Sequence, residues 1–165
     1  KIQSFVYMPA NGVVQGMRPI MSYNYGAGSR KRMMETLKSS LQVAGAIMLL
    51  GTVLFLACPG WIMKLFDAGD EMMRLGVPML RIISLGFVVS TVGCVLSGSF
   101  EALGQGMHSL LISMLRQLVI IVPLSALFSR IWGIYGVWMT FPLAEVIAAA
   151  AAVILFKRFM KKLKV

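Results

Sequence analysis

Five long apolar stretches dominate the chain, at residues 4–27, 40–63, 75–99, 107–129 and 133–156. Crossing about 30 Å of hydrocarbon takes roughly 20 helical residues, so each stretch is long enough for one transmembrane helix. The stretches are continuous and rich in leucine, alanine and methionine, whereas the strands of a membrane barrel are about ten residues long and alternate in polarity. The pattern therefore predicts five membrane-spanning α-helices joined by short loops.

The composition agrees with a chain that is surrounded by lipid. Of the 165 residues, 58% are hydrophobic and 13% are charged, and the mean hydropathy is +0.82. Soluble domains carry about 25% charged residues, so this chain lacks the charge to cover a water-facing surface. We predict an all-α integral membrane protein, a polytopic helical bundle.

The basic residues indicate how the helices are oriented. A net charge of +10 can mark a nucleic-acid-binding protein, but here lysine and arginine form short clusters between apolar stretches rather than one polar face. One side of the predicted bundle holds nine of them, in residues 28–38 and in the carboxyl-terminal tail, against four on the other side. The positive-inside rule places loop 28–38 and the carboxyl terminus in the cytoplasm of a multi-pass plasma (inner) membrane protein. No nucleic-acid partner is expected.

The number of predicted spans implies more chain than is present. Five crossings with a cytoplasmic carboxyl terminus put the amino end outside, and the chain opens at Lys1 without a methionine. Secondary transporters are commonly built from repeated units, and a six-helix unit that starts in the cytoplasm fits this parity. We expect residues 1–165 to be a carboxyl-terminal transmembrane lobe that lacks its first helix and an amino-terminal lobe.

Charged residues inside the spans are the strongest functional signal. Arg18 and Arg116 lie about 13 Å, and Glu145 about 16 Å, from the cytoplasmic ends of their spans, too deep to reach water easily. Arg81 is about 9 Å from the outer end of its span and can snorkel. Arg116 and Glu145 lie on consecutive spans, so we predict that they pair, with Arg18 as a further neighbour. Such a pair could hold the helices together or take part in transport.

The first span combines helix breakers with polar groups. Pro9 and Pro19 interrupt it, glycines lie between them, and Gln15 and Arg18 occupy the same stretch. Prolines kink helices and free carbonyl groups that can face a cavity. This span is therefore predicted to be bent and to line a polar cavity.

Enzyme chemistry and a bound metal find no support in the sequence. Cys58 and Cys94 lie in apolar stretches without metal-ligand spacing, and His108 stands alone. No span brings a nucleophile, a base and an orienting acid into a recognisable arrangement. We expect no enzymatic activity and no cofactor.

Four segments resemble one family. "GVVQGMRPIMSYNYGAGSRKRM" (12–33) is similar to the second helix of the carboxyl-terminal lobe of multidrug and toxic compound extrusion (MATE) transporters. "EALGQG" (101–106), "SLLISMLRQLVIIVPLS" (109–125) and "GIYGVWMTFPLAEVIAAA" (133–150) resemble a later loop and the last two helices of that lobe. The resemblance covers essentially the whole chain.

The resemblance implies helices eight to twelve of a twelve-helix antiporter with two lobes. Such a protein expels cationic and amphiphilic, drug-like compounds in exchange for Na⁺ or H⁺ by rocking its lobes. Two departures matter: the family often has glutamine at the position of Arg18, and the helix-ten acid of some members is missing from the third span here. The coupling ion is therefore not assigned to any residue, and Na⁺ and H⁺ both stay open.

Six residues are the candidates for a substrate or ion pathway. Asn24 has an alternative role, because asparagine next to a glycine often helps to terminate a helix. Two other functions stay open: a lipid-linked saccharide flippase of the same superfamily, and a membrane interaction module that transports nothing. The candidates are Gln15, Arg18, Asn24, Arg116, Gln117 and Glu145.

Overall fold

The computed structural model describes residues 2–67 and 69–163, and all regular structure within these ranges is helical. This confirms the predicted all-α class. Lys1, and the last two residues of the basic tail, lie outside the described part. The helices are α1 (Ser4–Gly26), α2 (Arg30–Ala57), α3 (Pro59–Leu65), α4 (Asp70–Ser84), α5 (Phe87–Ala102), α6 (Gly106–Met114) and α7 (Val122–Lys162), with a π-helical segment (Leu115–Ile121) between α6 and α7.

The last 57 helical residues, Gly106–Lys162, form a hairpin rather than one straight rod. Gly133 interrupts α7 with φ 61° and ψ −140°, a conformation open essentially to glycine alone. The segments before and after Gly133 lie against each other. Arg116 forms an ion pair with Glu145 across the break, and Gly136 lies so close to the Phe128 carbonyl that a side chain there would collide with it. Two antiparallel arms therefore stand where spans 107–129 and 133–156 are predicted.

Length and apolar character alone identify two candidate membrane spans in the described residues. They are Arg30–Ala57 and Gly106–Lys162, the second being the hairpin of two arms. A third results if Asp70–Ser84 and Phe87–Ala102, bent by 55°, count as one span. Helix α1 is 23 residues long but does not reach the same apolar character. That residues 4–27 cross the membrane stays a prediction.

Two predicted spans have different bounds in the structure. The helix that carries predicted span 40–63 is α2, which starts earlier, at Arg30, and ends earlier, at Ala57, where Pro59 begins the short α3. Arginine and lysine are good helix formers, so the helix extends through the basic residues. Proline lacks a backbone N–H and fits the first turn of a new helix.

Span 75–99 is a broken helix, not a continuous one. Helix α4 ends at Ser84 and α5 starts at Phe87. The Ser84 carbonyl accepts a hydrogen bond from the Thr52 hydroxyl of α2 at 3.1 Å. At Gly86 an added Cβ would lie 3.1 Å from the Pro142 Cα, so a glycine is what lets α7 approach the break.

Helix α5 is the centre of the bundle. Phe87, Val95 and Phe100 on this helix are completely buried, and α1, α2, α6 and α7 all pack against it. Small residues allow close contacts with α1: a side chain at Gly98 of α5 would overlap Val14, and one at Gly51 of α2 would overlap Val6. Close packing at small residues is the usual way in which helices associate in lipid, where apolar burial between them gains little.

Candidate functional site

A polar cavity of about 160 Å³ lies among α1, α5, α6, the π-helical segment and α7. Polar side chains in an apolar membrane bundle mark a bundle interior or a water-filled space. Such a volume holds several water molecules, since each occupies about 30 Å³ in the liquid. The polar residues that line it are Asn11, Arg18, Cys94, Ser97, Glu101, Ser109, Ser113 and Arg116.

One ion pair ties three helices together at one end of this cavity. The Arg18 Nη2 of α1 lies 2.5 Å from the Glu101 Oε2 at the end of α5. The Ser109 hydroxyl of α6 donates to the other carboxylate oxygen at 2.7 Å, and the Arg18 Nη1 donates to the Gln15 Oε1 at 3.2 Å. The Arg18 Nε is buried and has no hydrogen-bond partner among the described residues.

A second ion pair joins the two arms of the hairpin. The Arg116 Nη1 donates to both carboxylate oxygens of Glu145, at 3.3 and 3.4 Å. The Arg116 side chain is 31% exposed and that of Glu145 is 15% exposed, so this pair is more buried than Arg18 and Glu101, at 35% and 38%. The predicted pairing of Arg116 with Glu145 is confirmed. Arg18 pairs with Glu101, not with Glu145, but it lines the same cavity as Arg116, so the expected neighbourhood of the three residues is kept.

Arg116 also lines a second polar cavity, of about 190 Å³. Glu145 and Gln117 line it too, together with Gln3 and Tyr7 from the start of α1. The Tyr7 hydroxyl donates to the Ser90 hydroxyl at 3.1 Å, which joins α1 to α5 beside this cavity. The two cavities share Arg116, so polar lining extends from the first turn of α1 to Glu101.

The π-helical segment places Arg116 between the two cavities. Arg116 is its second residue, and Pro123 follows its end closely. Proline supplies no N–H to the preceding turn and its ring presses on the carbonyl four residues back, which loosens the helix there. π-Helical turns occur frequently at functional sites, because they change the direction in which side chains point.

The structure brings five of the six candidate residues together and separates the sixth. Arg18, Arg116, Gln117 and Glu145 line the two cavities, and Gln15 hydrogen-bonds Arg18 on the exposed side of α1. Asn24 instead lines a groove between α1 and α2, and its amide donates to the Ile20 carbonyl at 2.9 Å. A pathway role for any of these residues stays a prediction.

Sequence reasoning missed several lining residues, of which Glu101 is the most important. Its position at the end of a predicted span made it look like a loop residue. Asn11 could have been found, because Asn11, Gln15 and Arg18 follow the spacing of one helix face. Tyr7 and Ser109 give no such signal, since isolated hydroxyl groups in apolar helices are common.

The acidic residues of the site occur singly, each opposite an arginine. Across residues 2–67 and 69–163, no three His, Cys, Asp or Glu side chains come close enough to hold a metal ion together. The four charges of the two ion pairs cancel. The site is therefore polar but has no formal net charge.

Comparison with known sequences gives one consistent result. The sequence model of the MatE family matches residues 1–127. The multidrug export protein MepA of Staphylococcus aureus (strain bovine RF122 / ET3-1) is 22% identical over 144 residues, which are 87% of this chain and 32% of that protein. The chain thus spans about a third of the length of the curated relatives that it matches.

Solved structures share the fold. The MATE multidrug transporter DinF-BH superimposes with a TM-score of 0.86 at 32% identity, over 95% of this chain and 35% of that one. A MOP superfamily transporter from Pyrococcus furiosus reaches a TM-score of 0.92 at 20% identity, over 99% of this chain and 37% of its own. The second likeness shows the fold alone.

Proposed function

Because the chain belongs to the MatE family, we propose that it forms the carboxyl-terminal half of a secondary active multidrug efflux antiporter. It would export cationic and amphiphilic compounds from the cytoplasm in exchange for Na⁺ or H⁺. The missing amino-terminal lobe of the same chain would be its partner, and rocking of the two lobes would expose the site to either side in turn. The observation that supports this best is the pair of polar cavities that share Arg116.

The exposed side of α1 is the part of the site that we assign to the substrate. Asn11 and Gln15 are exposed there, beside the Arg18–Glu101 pair. Polar side chains on a membrane helix face water or protein rather than lipid. In the complete protein this side would therefore face the water-filled cleft between the lobes, where a drug-like compound enters.

Transport by the complete protein tests the proposal. The full-length chain is reconstituted into vesicles, and accumulation of ethidium, an organic cation, is followed while Na⁺ and H⁺ gradients are imposed separately. We expect one of the gradients to drive ethidium movement and so to identify the coupling ion. No movement under either gradient would contradict the antiporter function and favour the interaction module.

A flippase for a lipid-linked saccharide remains the second candidate. Two arginines in the cavities would suit a phosphate-bearing substrate, but Glu101 and Glu145 already pair with them. Loss of ethidium efflux in Glu145→Gln with activity kept in Arg18→Gln would support the antiporter. Activity on a phosphorylated lipid that only Arg18→Gln abolishes would support the flippase.

A further inference from the structure

A larger concavity lies on another face of α1, away from the polar cavities. It is an open groove of about 710 Å³ between α1 and α2, next to the turn of residues 27–29 that joins them. The function proposed above makes no use of it. Its lining residues from α1 are Val13, Gly16, Met17, Ile20, Tyr23 and Asn24, and those from α2 are Arg32, Glu35, Thr36, Ser39 and Ser40.

The end of the groove near the turn is basic. Arg32 lines this end, and neither of the two ion pairs among the described residues involves it. The Thr36 hydroxyl donates to the Arg32 backbone carbonyl at 2.8 Å, a contact that does not occupy the guanidinium. Residues 30–38 contain four cationic residues and one acid, a net charge of +3.

The other end of the groove has room, and its α1 side is apolar, with the hydroxyl groups of Ser39 and Ser40 opposite on α2. Val13 and Ile20 line it, and nothing lies within 4 Å of the position that a side chain on Gly16 would take. From Asn24 to Val13 the helix rises about 16 Å, which is about half the hydrocarbon thickness of a bilayer. With residues 4–27 crossing the bilayer as predicted, the groove would extend from the membrane surface through about one leaflet.

We propose that this groove binds one anionic phospholipid, with its phosphate against Arg32 and an acyl chain over Gly16. Basic pockets between transmembrane helices bind anionic head groups in this way. Exposed Tyr23 at the mouth of the groove has the ring and hydroxyl that suit the head-group level. The charge at one end and the apolar floor at the other match the two parts of a lipid.

Glu35 narrows the choice of head group. It lines the same end of the groove, one turn after Arg32. A lipid with a second negative charge would meet repulsion from this carboxylate, whereas a hydroxyl on the head group can donate to it. Phosphatidylglycerol, with one negative charge and a glycerol head group, fits both conditions.

Native mass spectrometry of the purified full-length protein tests the charged end. Dioleoylphosphatidylglycerol and dioleoylphosphatidylcholine are titrated in parallel, and the dissociation constant of the most tightly held lipid is compared. Arg32→Gln should weaken phosphatidylglycerol binding about fivefold, the value of one basic residue near an anionic lipid. Arg30→Gln removes the same charge outside the groove lining and should weaken this binding clearly less.

A filled groove tests the apolar end. Gly16→Leu should abolish the tightest phosphatidylglycerol binding by occupying the place of the acyl chain. Gly45→Leu is the matched control, because Gly45 also has open space around it but does not line the groove. Both changes place a good helix former within a helix, so folding should be kept.

Three outcomes would overturn the proposal. Equal weakening by Arg32→Gln and Arg30→Gln would mean attraction by diffuse surface charge and no defined site. Unchanged binding in Gly16→Leu would mean that no acyl chain enters the groove. Absence of any preference for phosphatidylglycerol in the unmodified full-length protein would mean that another segment of the chain covers the groove.

Discussion

Arg116 uses one nitrogen atom for both oxygens of Glu145, and it does so where two polar cavities adjoin. Removing one partner of a buried ion pair leaves an uncompensated charge, which costs far more than the pair itself contributes. The pair of Arg18 and Glu101 is more exposed, and exposed pairs contribute about 0–1 kcal/mol. Replacing the glutamate by glutamine should therefore destabilise the protein more in the Arg116–Glu145 pair than in the Arg18–Glu101 pair.

Glu145→Gln is expected to lower the melting temperature of the full-length protein more than Glu101→Gln does. Glu145→Gln should lower the free energy of unfolding by about 1–3 kcal/mol, between the values for breaking a fully buried and an exposed ion pair. Thermal unfolding in detergent, followed by dye binding or light scattering, measures the difference. An equal effect of both substitutions would contradict the difference in burial.

The double variant Arg116→Gln with Glu145→Gln distinguishes a structural pair from a functional one. Removing both charges leaves no unpaired charge, so stability should return toward that of the unmodified protein. Ethidium transport should be lost in this variant, because Glu145 is predicted to line the pathway. Recovery of both stability and transport would mean that the pair only holds the hairpin arms together.

The residues of the site were predictable only in part. Depth within a span and adjacency of two spans were enough to predict that Arg116 meets Glu145. The partner of Arg18 was not predictable in the same way, because a long arginine side chain can extend to a carboxylate at the end of a neighbouring helix. Counting residues gives the depth of the Cα atom, not that of the charged group.

Helix breaks, more than helices, determine the shape of this chain. Besides the turns at 27–29, 66–67 and 103–105, breaks occur at Cys58, at residues 85–86 and at Gly133, and the π-helical segment adds a further irregular place. The helices can be predicted from the sequence, because long apolar runs mark the parts of the chain that lie in the hydrocarbon of the bilayer. The break at residues 85–86 lies inside such a run and depends on the contact of Gly86 with Pro142, which no local pattern shows.

Gly133→Ala should destabilise the full-length protein by about 1–3 kcal/mol, because its backbone conformation is strained for any residue with a Cβ. Gly45→Ala is the control, since its surroundings are open and alanine favours a helix. The melting temperature should fall for the first change and stay level or rise for the second. No difference between them would mean that the turn of the hairpin tolerates a side chain.

The whole bundle has two kinds of exposed surface. Leu50 on α2 is 65% exposed and belongs to an apolar surface suited to lipid, whereas Gln117 is exposed beside the second polar cavity. Under the proposed function, the first surface of the complete protein should face the bilayer and the second the water-filled cleft. Although both residues are exposed in this chain, Leu50 should therefore be surrounded by lipid and Gln117 by water.

Water access distinguishes the two surfaces. In the full-length protein with Cys58 and Cys94 replaced by serine, Gln117→Cys should react with a charged methanethiosulfonate reagent and Leu50→Cys should not. The reaction needs a thiolate, which forms in water and not in hydrocarbon. Labelling followed by mass spectrometry measures it, and labelling of Leu50→Cys alone would reverse our assignment.

Orientation in the membrane is a second prediction for the whole molecule. In intact cells a membrane-impermeant maleimide should label Glu71→Cys and should label Lys31→Cys only after permeabilisation. The basic residues at the start of α2 lie inside by the positive-inside rule, and the start of α4 then lies outside. The opposite labelling pattern would contradict the predicted cytoplasmic position of loop 28–38.

The hairpin at Gly133 also bears on how the chain enters the bilayer during synthesis. Arg116 and Glu145 are only 29 residues apart, and they meet across the turn at Gly133. Each charge alone would cost about 2.5–3.5 kcal/mol at the centre of an inserting helix. If the two arms leave the translocon as one unit, the opposite charges can reach the hydrocarbon already neutralised by each other.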